Sequence, residues 1–72
     1  MARFTVQSEV AGTVWKIEVS VGDAVQADQS LVILESMKME IPAGAPWAGT
    51  VLQVLVAEGE AVSEGQDLVV IE

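Results

Sequence analysis

The chain has 72 residues, and eleven acidic against three basic residues give it a formal net charge of −8. Charge of this sign argues against nucleic acid, which proteins bind through lysine and arginine contacts to phosphates, and against anionic membrane surfaces. The chain contains no cysteine and no histidine, which excludes a disulfide, a thiolate metal site and a histidine general base. The length predicts one small domain over residues 1–72, and keeping an apolar domain in solution is sufficient reason for the charge.

No segment of the chain has the length and composition of a membrane helix. The longest all-aliphatic runs, such as Leu31–Leu34, fall far short of the ~20 residues that a membrane span needs. The basic and then apolar pattern of a signal peptide does not open the chain. We therefore expect a cytoplasmic protein with no membrane partner, and a monomer when the chain is isolated.

The first half of the chain predicts four short strands. Residues 4–6 form the first, and the second contains Trp15, Ile17 and Val19, which alternate with charged side chains in the period of two that is typical of a strand. Gly22 then marks a turn that requires a positive φ, and a very short strand follows it. The last strand, within SLVILE at 30–35, is apolar on both faces, as expected inside a sandwich.

The hexapeptide ESMKME at 35–40 follows the fourth strand and predicts a tight hairpin. A two-residue hairpin loop favours Asn-Gly or Asp-Gly, because both central residues of a type I′ turn need positive φ. Met37 and Lys38 stand there instead. Local rules that are broken without a packing gain indicate function. The alternative is a solvated turn lysine with two filler methionines.

The second half of the chain repeats the first. Residues 12–35 align without gaps to residues 49–72 at an offset of 37 positions (49 − 12), and 11 of the 24 pairs are identical. Two copies of this length predict a domain with two-fold pseudosymmetry rather than a repeat array, which needs three or more copies. Residues 41–43 align with the first strand, and Gly59 aligns with the turn glycine Gly22. The hairpin has no counterpart in the repeat, so we expect it at one end of the domain and both termini near the other.

The predicted fold is therefore all-β: a flattened barrel or sandwich of two four-stranded antiparallel sheets, with no stretch of helical period to compete. The alternation predicts which side chains lie between the sheets. We interpret the two tryptophans as residues that pack in the core or at its edge. These predicted core residues are Trp15, Ile17, Val19, Leu31, Ile33, Leu52, Val54, Leu68 and Val70.

Across essentially its whole length the sequence resembles a biotinyl carrier domain of the biotin/lipoyl attachment family. The resemblance is carried by AGTV at the start of each half, by VGDAV and by QSLVILESMKMEIPA. MKM at 37–39 is similar to the biotin-acceptor tripeptide, with Lys38 at the modified position. Ser36 stands where many relatives have alanine or valine, and the thumb insertion of some bacterial carriers is absent. The chain is most similar to the small free-standing carriers.

The resemblance implies that Lys38 carries covalent biotin and that the domain itself is not catalytic. A biotin protein ligase would acylate the amine, and the biotin would then serve a biotin carboxylase and a carboxyltransferase in turn. Met37 and Met39 would flank the lysine as residues that these enzymes read. Glu35, Ser36 and Glu40 would complete the hairpin, with the two glutamates either solvated or discouraging a wrong ligase.

Other functions stay open at this point. A lipoyl carrier for acyl transfer would have the same fold, although lipoyl domains usually place an acidic residue before the lysine and alanine after it. An unmodified module that acts only in protein interaction is a second alternative. An enzyme is the least supported alternative, because the eleven acidic residues are scattered through turns and do not pair in a motif. The carboxylated substrate is open between acetyl-CoA, propionyl-CoA, pyruvate and urea.

Overall fold

The structure, a computed structural model, contains eight β-strands and no helix in the part of the chain that it describes. These are residues 3–72, so residues 1 and 2 of the predicted domain lie outside the described residues. The strands are β1 (Phe4–Gln7), β2 (Gly12–Ile17), β3 (Ala24–Val25), β4 (Ser30–Ser36), β5 (Met39–Gly44), β6 (Gly49–Val54), β7 (Ala61–Val62) and β8 (Asp67–Ile71). The prediction of eight short strands is confirmed.

The strands form two four-stranded sheets that the pseudosymmetry exchanges. Sheet I has the order β1-β8-β6-β3 and sheet II the order β5-β4-β2-β7, and every pairing is antiparallel. The registers correspond as well: Phe4 pairs with Ile71 in sheet I, and Ile41 pairs with Leu34 at the same offset of 37 in sheet II. The predicted two-sheet fold and its two-fold relation are confirmed.

A core of aliphatic side chains lies between the two sheets. Its members are Val6, Val14, Val19, Val25, Leu31, Val32, Leu34, Ala45, Val51, Val56, Val62, Leu68, Val69 and Ile71. Fully burying one valine or leucine side chain contributes about 1.5–3 kcal/mol, so a core of this kind is the main source of stability in so small a domain.

Trp15 is not in the core, and the prediction that placed it there is wrong. Val14 pairs with Leu34 but Lys16 pairs with Ile33, so Trp15 is the extra residue of a β-bulge in β2. The bulge breaks the alternation, and Trp15 is 48% exposed while Val14 is fully buried. Leu52 occupies the equivalent bulge of β6 and is only partly buried.

A second pair of register shifts corrects the predicted inner faces of β4 and β8. The shift in β4 falls at Leu31, so that Leu31 and Val32 are both buried and Ile33 turns to the outer face, where it is only half-buried. In β8 the same shift falls at Leu68, and Val70 is the half-buried counterpart of Ile33. Ile17 and Val54 are partly buried and pack against the core, whereas Val19, Leu31 and Leu68 lie within it as predicted.

The glycine turns are confirmed. Gly22 has φ +96° and Gly59 has φ +87°, a conformation that L-residues resist. Each turn is closed by the same side-chain contact: Ser20 N–H donates to Oδ2 of Asp23 at 2.8 Å, and its counterpart Ala57 N–H donates to Oε1 of Glu60 at 3.0 Å. The repeat in sequence is thus a repeat in turn chemistry.

Among residues 3–72, no helix could cross a membrane.

Candidate functional site

The hairpin between β4 and β5 has the tight turn that the sequence predicts. Glu35 pairs with Glu40 and Ser36 with Met39, which leaves Met37 and Lys38 as the two central residues of the turn. Their φ angles are +52° and +65°. Both are positive, as a type I′ turn requires, because this turn matches the right-handed twist of the strands that it joins.

Neither central residue is one that the turn favours. An L-residue in the left-handed region costs roughly 1–2 kcal/mol, and asparagine and glycine are the residues that tolerate it best. Met37 recovers none of this cost by packing, since its side chain is 91% exposed. Local stability therefore does not explain Met37-Lys38, and what this dipeptide presents to other molecules remains as the explanation.

The Lys38 side chain is exposed at the apex of the hairpin. Among the described residues, the one ion pair joins Arg3 to Glu72 at 3.7 Å, and no side-chain hydrogen bond involves Lys38. The ε-amino group is thus held by nothing in the described chain and stands on a flexible four-carbon stem. This arrangement offers an accessible amine to a second macromolecule.

Met37 and Met39 present the apolar surface of the hairpin. Their side chains are 91% and 64% exposed, on either side of Lys38. The remaining members of the hexapeptide, Glu35, Ser36 and Glu40, are polar. An enzyme that covers Lys38 therefore meets a thioether on each side of it, which is the position that the sequence prediction gives to these two residues.

Glu35 and Glu40 face each other at the base of the hairpin. They form a directly opposed cross-strand pair, and both are exposed. Like charges in such a pair are destabilising, because their Cβ atoms lie only ~4.5–5.5 Å apart. The hairpin is therefore anionic at its base and carries one cation at its apex.

Ala11 and Gly12, which sequence analysis named only as part of the AGTV segment, hold the base of the hairpin in place. The hydroxyl of Ser36 donates to the carbonyl oxygen of Ala11 at 3.0 Å. Gly12 approaches the end of β4 so closely that a Cβ atom there would overlap the carbonyl oxygen of Glu35. The signal in the sequence is the AG dipeptide of residues 11–12, which recurs at residues 48–49. A Cβ on Gly49 would likewise lie 2.6 Å from the carbonyl oxygen of Glu72.

Outside the hairpin, Lys16 is the other exposed lysine among the described residues. Within residues 3–72, no group of three or more His, Cys, Asp or Glu side chains could hold a metal ion. The aromatic pair of Phe4 and Trp47, with ring centroids 5.1 Å apart in an edge-on arrangement, packs β1 against the loop that follows β5. The predicted site residues, in contrast, all lie on the hairpin between β4 and β5.

Comparison with known protein families and curated proteins gives concordant matches. The family model described as "Biotin-requiring enzyme" (Biotin_lipoyl) matches residues 3–71. A biotin/lipoyl attachment protein of Bacillus subtilis (strain 168) is 53% identical over 38 residues, which are 53% of this chain and 52% of that protein. A urea amidolyase of Saccharomyces cerevisiae is 49% identical over 41 residues, which are 57% of this chain and 2% of that protein.

Solved structures of two carboxylases contain the same fold. The urea carboxylase of Kluyveromyces lactis matches all of this chain and 6% of its own, with a TM-score of 0.94 and 35% identity. A single-chain, multi-domain long-chain acyl-CoA carboxylase matches 96% of this chain and 7% of its own, with a TM-score of 0.91 and 35% identity. The matches thus span about half of the Bacillus protein and a small part of the much larger proteins. Because the family model covers residues 3–71, the chain belongs to the biotin/lipoyl attachment family of biotin-requiring enzymes.

Proposed function

We propose that the chain is the biotin carrier of a biotin-dependent carboxylase and that biotin is joined through an amide bond to Nζ of Lys38. The observation that carries the proposal is the hairpin apex, where an exposed lysine occupies a positive-φ turn position between two exposed methionines. An amide-linked cofactor requires an amine that an enzyme can surround, and the Lys38 side chain meets that requirement.

Lysine suits the attachment because it combines a nucleophilic amine with a long flexible stem. A biotin protein ligase would activate biotin as its adenylate with ATP; attack of the amine on the acyl carbon would release AMP, and the ligase would take up the proton that the amine loses. Amide formation removes one positive charge, and the net charge of the chain falls from −8 to −9. Bound biotin supplies a group that accepts a carboxyl group at one enzyme and releases it at another.

The chain would contribute tethering rather than catalysis. A cofactor on a tether reaches each partner site at a high effective concentration, provided that its attachment point is held in a suitable place. The paired strands β4 and β5, the Ser36–Ala11 hydrogen bond and the approach of Gly12 to Glu35 fix the base of the hairpin. The attachment point is thereby held on paired strands, and the long Lys38 side chain extends the amine beyond them.

Biotin is preferred to lipoyl for two reasons. The lysine is flanked by methionine on both sides, and two solved structures that match over nearly all of this chain are of carboxylases. Biotin carboxylase and carboxyltransferase are accordingly the proposed partners of the loaded chain, and biotin protein ligase is the partner of the unloaded one. The proposed location is the cytoplasm.

Parallel ligation tests the choice of cofactor directly. The unmodified chain is incubated with ATP and biotin plus a biotin protein ligase, or with ATP and lipoate plus a lipoate ligase, and its intact mass is followed. We expect the mass of one biotinyl group in the first reaction and slow or no transfer in the second. Faster lipoyl transfer would replace the carboxylase role with acyl transfer, and no gain in either reaction would leave an unmodified interaction module.

A further inference from the structure

We propose that Met37 and Met39 form a redox-sensitive site, at which oxidation of the thioethers to sulfoxides by a hydroperoxide suppresses the loading of Lys38 while the fold stays intact. The inference rests on the proposed attachment function of Lys38. It adds a chemical control that acts on the two neighbours of the attachment point.

Both sulfur atoms belong to side chains that an oxidant reaches without any unfolding. Met37 is 91% exposed and Met39 is 64% exposed. In the reaction, the thioether sulfur takes one oxygen atom from the hydroperoxide; the O–O bond breaks, and the peroxide is reduced to an alcohol or to water. Because neither side chain is a member of the core, the polar product displaces no core packing.

The two methionines are the adjacent neighbours of Lys38, so an enzyme that closes on the lysine must cover them too. Consecutive Cα atoms are only 3.8 Å apart. The other hairpin residues are Glu35, Ser36 and Glu40, which leaves the two thioethers as the whole of the apolar contact that the hexapeptide offers. A sulfoxide is a strong hydrogen-bond acceptor, and covering it without a partner weakens binding.

The sequence lets each oxidation be located. Trypsin cleaves the unmodified chain after Arg3, Lys16 and Lys38, which places the three methionines in the separate peptides 1–3, 17–38 and 39–72. Oxidation of Met1 is therefore distinguished from oxidation of the two hairpin methionines. Trp47 shares the peptide of Met39, and fragmentation of that peptide distinguishes their oxidation.

The experiment treats the unmodified chain with hydrogen peroxide until peptides 17–38 and 39–72 carry one sulfoxide each, and then measures kcat/KM for ligase-catalysed biotin transfer. We expect about a tenfold decrease relative to the reduced chain, equivalent to ~1.4 kcal/mol of transition-state binding. The thermal midpoint should stay unchanged. Methionine sulfoxide reductases, with a dithiol as reductant, should restore the rate.

The matched control is the double variant Met37→Leu/Met39→Leu, which keeps apolar side chains that peroxide does not oxidise. Each chain is compared with its own reduced form, so any effect of leucine itself cancels. The variant should keep its rate after peroxide treatment within about twofold, a difference too small to indicate a lost contact.

Two results would overturn the inference: an unchanged rate in the doubly oxidised wild-type chain, or an equal loss of rate in the leucine variant, which would indicate damage elsewhere. Failure of the proposed function is read separately, from the reduced wild-type chain. If that chain accepts no biotin, lipoyl transfer to Lys38 serves as the rate to be compared before and after oxidation. A chain that accepts neither group removes the proposed function and this inference together.

Discussion

Gly12 and the carbonyl oxygen of Glu35 are in such close approach that no side chain fits between β2 and the end of β4. The contact lies directly below the Lys38 turn, because Glu35 and Ser36 are the last residues of β4. Its counterpart in the other half, Gly49 against Glu72, does not involve the residues of the Lys38 hairpin. The same packing constraint therefore occurs once at the candidate site and once in the other half.

We predict that Gly12→Ala destabilises the domain and also slows the loading of Lys38. The added methyl group forces the end of β4 to move, and overpacking of this kind costs about 1–3 kcal/mol. Gly49→Ala should cost a similar amount because its Cβ would meet the backbone of Glu72, but it should leave loading unchanged. Urea midpoints and biotin-transfer rates on fully folded protein separate the two effects. Equal loss of loading in both variants would contradict a positioning role for Gly12.

The two lysines provide a matched pair for locating the attachment site. Lys16 and Lys38 are both exposed, but Lys16 lies within β2, whose backbone must stay paired with β4. We predict that Lys38→Arg keeps the fold and abolishes biotin transfer, because the guanidinium keeps the charge but is not a usable amine nucleophile. Lys16→Arg should load like wild type. Intact mass after co-expression with a biotin protein ligase is the measurement, and biotin on the Lys38→Arg chain would disprove the assignment.

The eight strands, the two-fold relation and the hairpin could be predicted from the sequence because the second half of the chain repeats the first. The order of the strands within each sheet was not predicted. Residues 12–35 and 49–72 place each turn and strand at the same offset, so an ambiguous element in one half is resolved by the other. Met37 and Lys38, which are unfavourable residues for such a turn, then indicated the candidate site. The turns and strands depend on local sequence, and the structure contains them where they were predicted.

The direction of individual side chains could not be predicted from the same alternation. Bulges at Trp15 and Leu31 shift the pairing by one residue, and a shift of one exchanges the faces of the strand. Nothing in the local sequence marks a bulge, since it depends on the partner strand. The contact of Gly12 with Glu35 is hidden for the same reason, because it joins residues 23 positions apart (35 − 12).

The first residue of the Lys38 turn is expected to trade stability for recognition. Met37 has φ +52°, which asparagine tolerates better than methionine. We predict that Met37→Asn raises the free energy of unfolding by several tenths to about 1 kcal/mol, while biotin transfer slows because an apolar contact is lost. Met39→Asn is the control: Met39 lies in β5, without a positive φ, and asparagine is disfavoured in strands, so no gain in stability is expected. A stability gain in both variants would refute the explanation by φ.

The glycine turns test the two-fold relation itself. Gly22 and Gly59 have φ of +96° and +87°, and no atom lies within 4 Å of where a Cβ would stand, so alanine meets strain in the backbone and no clash. The left-handed conformation costs roughly 1–2 kcal/mol for an L-residue. Alanine also stiffens the unfolded chain, which returns about 0.4–1 kcal/mol. We therefore predict that Gly22→Ala and Gly59→Ala each lower the free energy of unfolding by on the order of 1 kcal/mol.

Urea midpoints of the two single variants and of the double variant measure this prediction, with Gly44→Ala as the reference. Gly44 lacks a positive φ, and its Cβ would come no closer than 3.4 Å to a neighbouring atom, so alanine there should be neutral or stabilising. We expect the two variants to lose equal free energies of unfolding, because the same side-chain contact closes both turns. In the double variant the two losses should add, as they do for independent sites. Stabilisation by either change would show that its turn does not need glycine. Clearly unequal costs would show that the halves share their geometry but not their energetics.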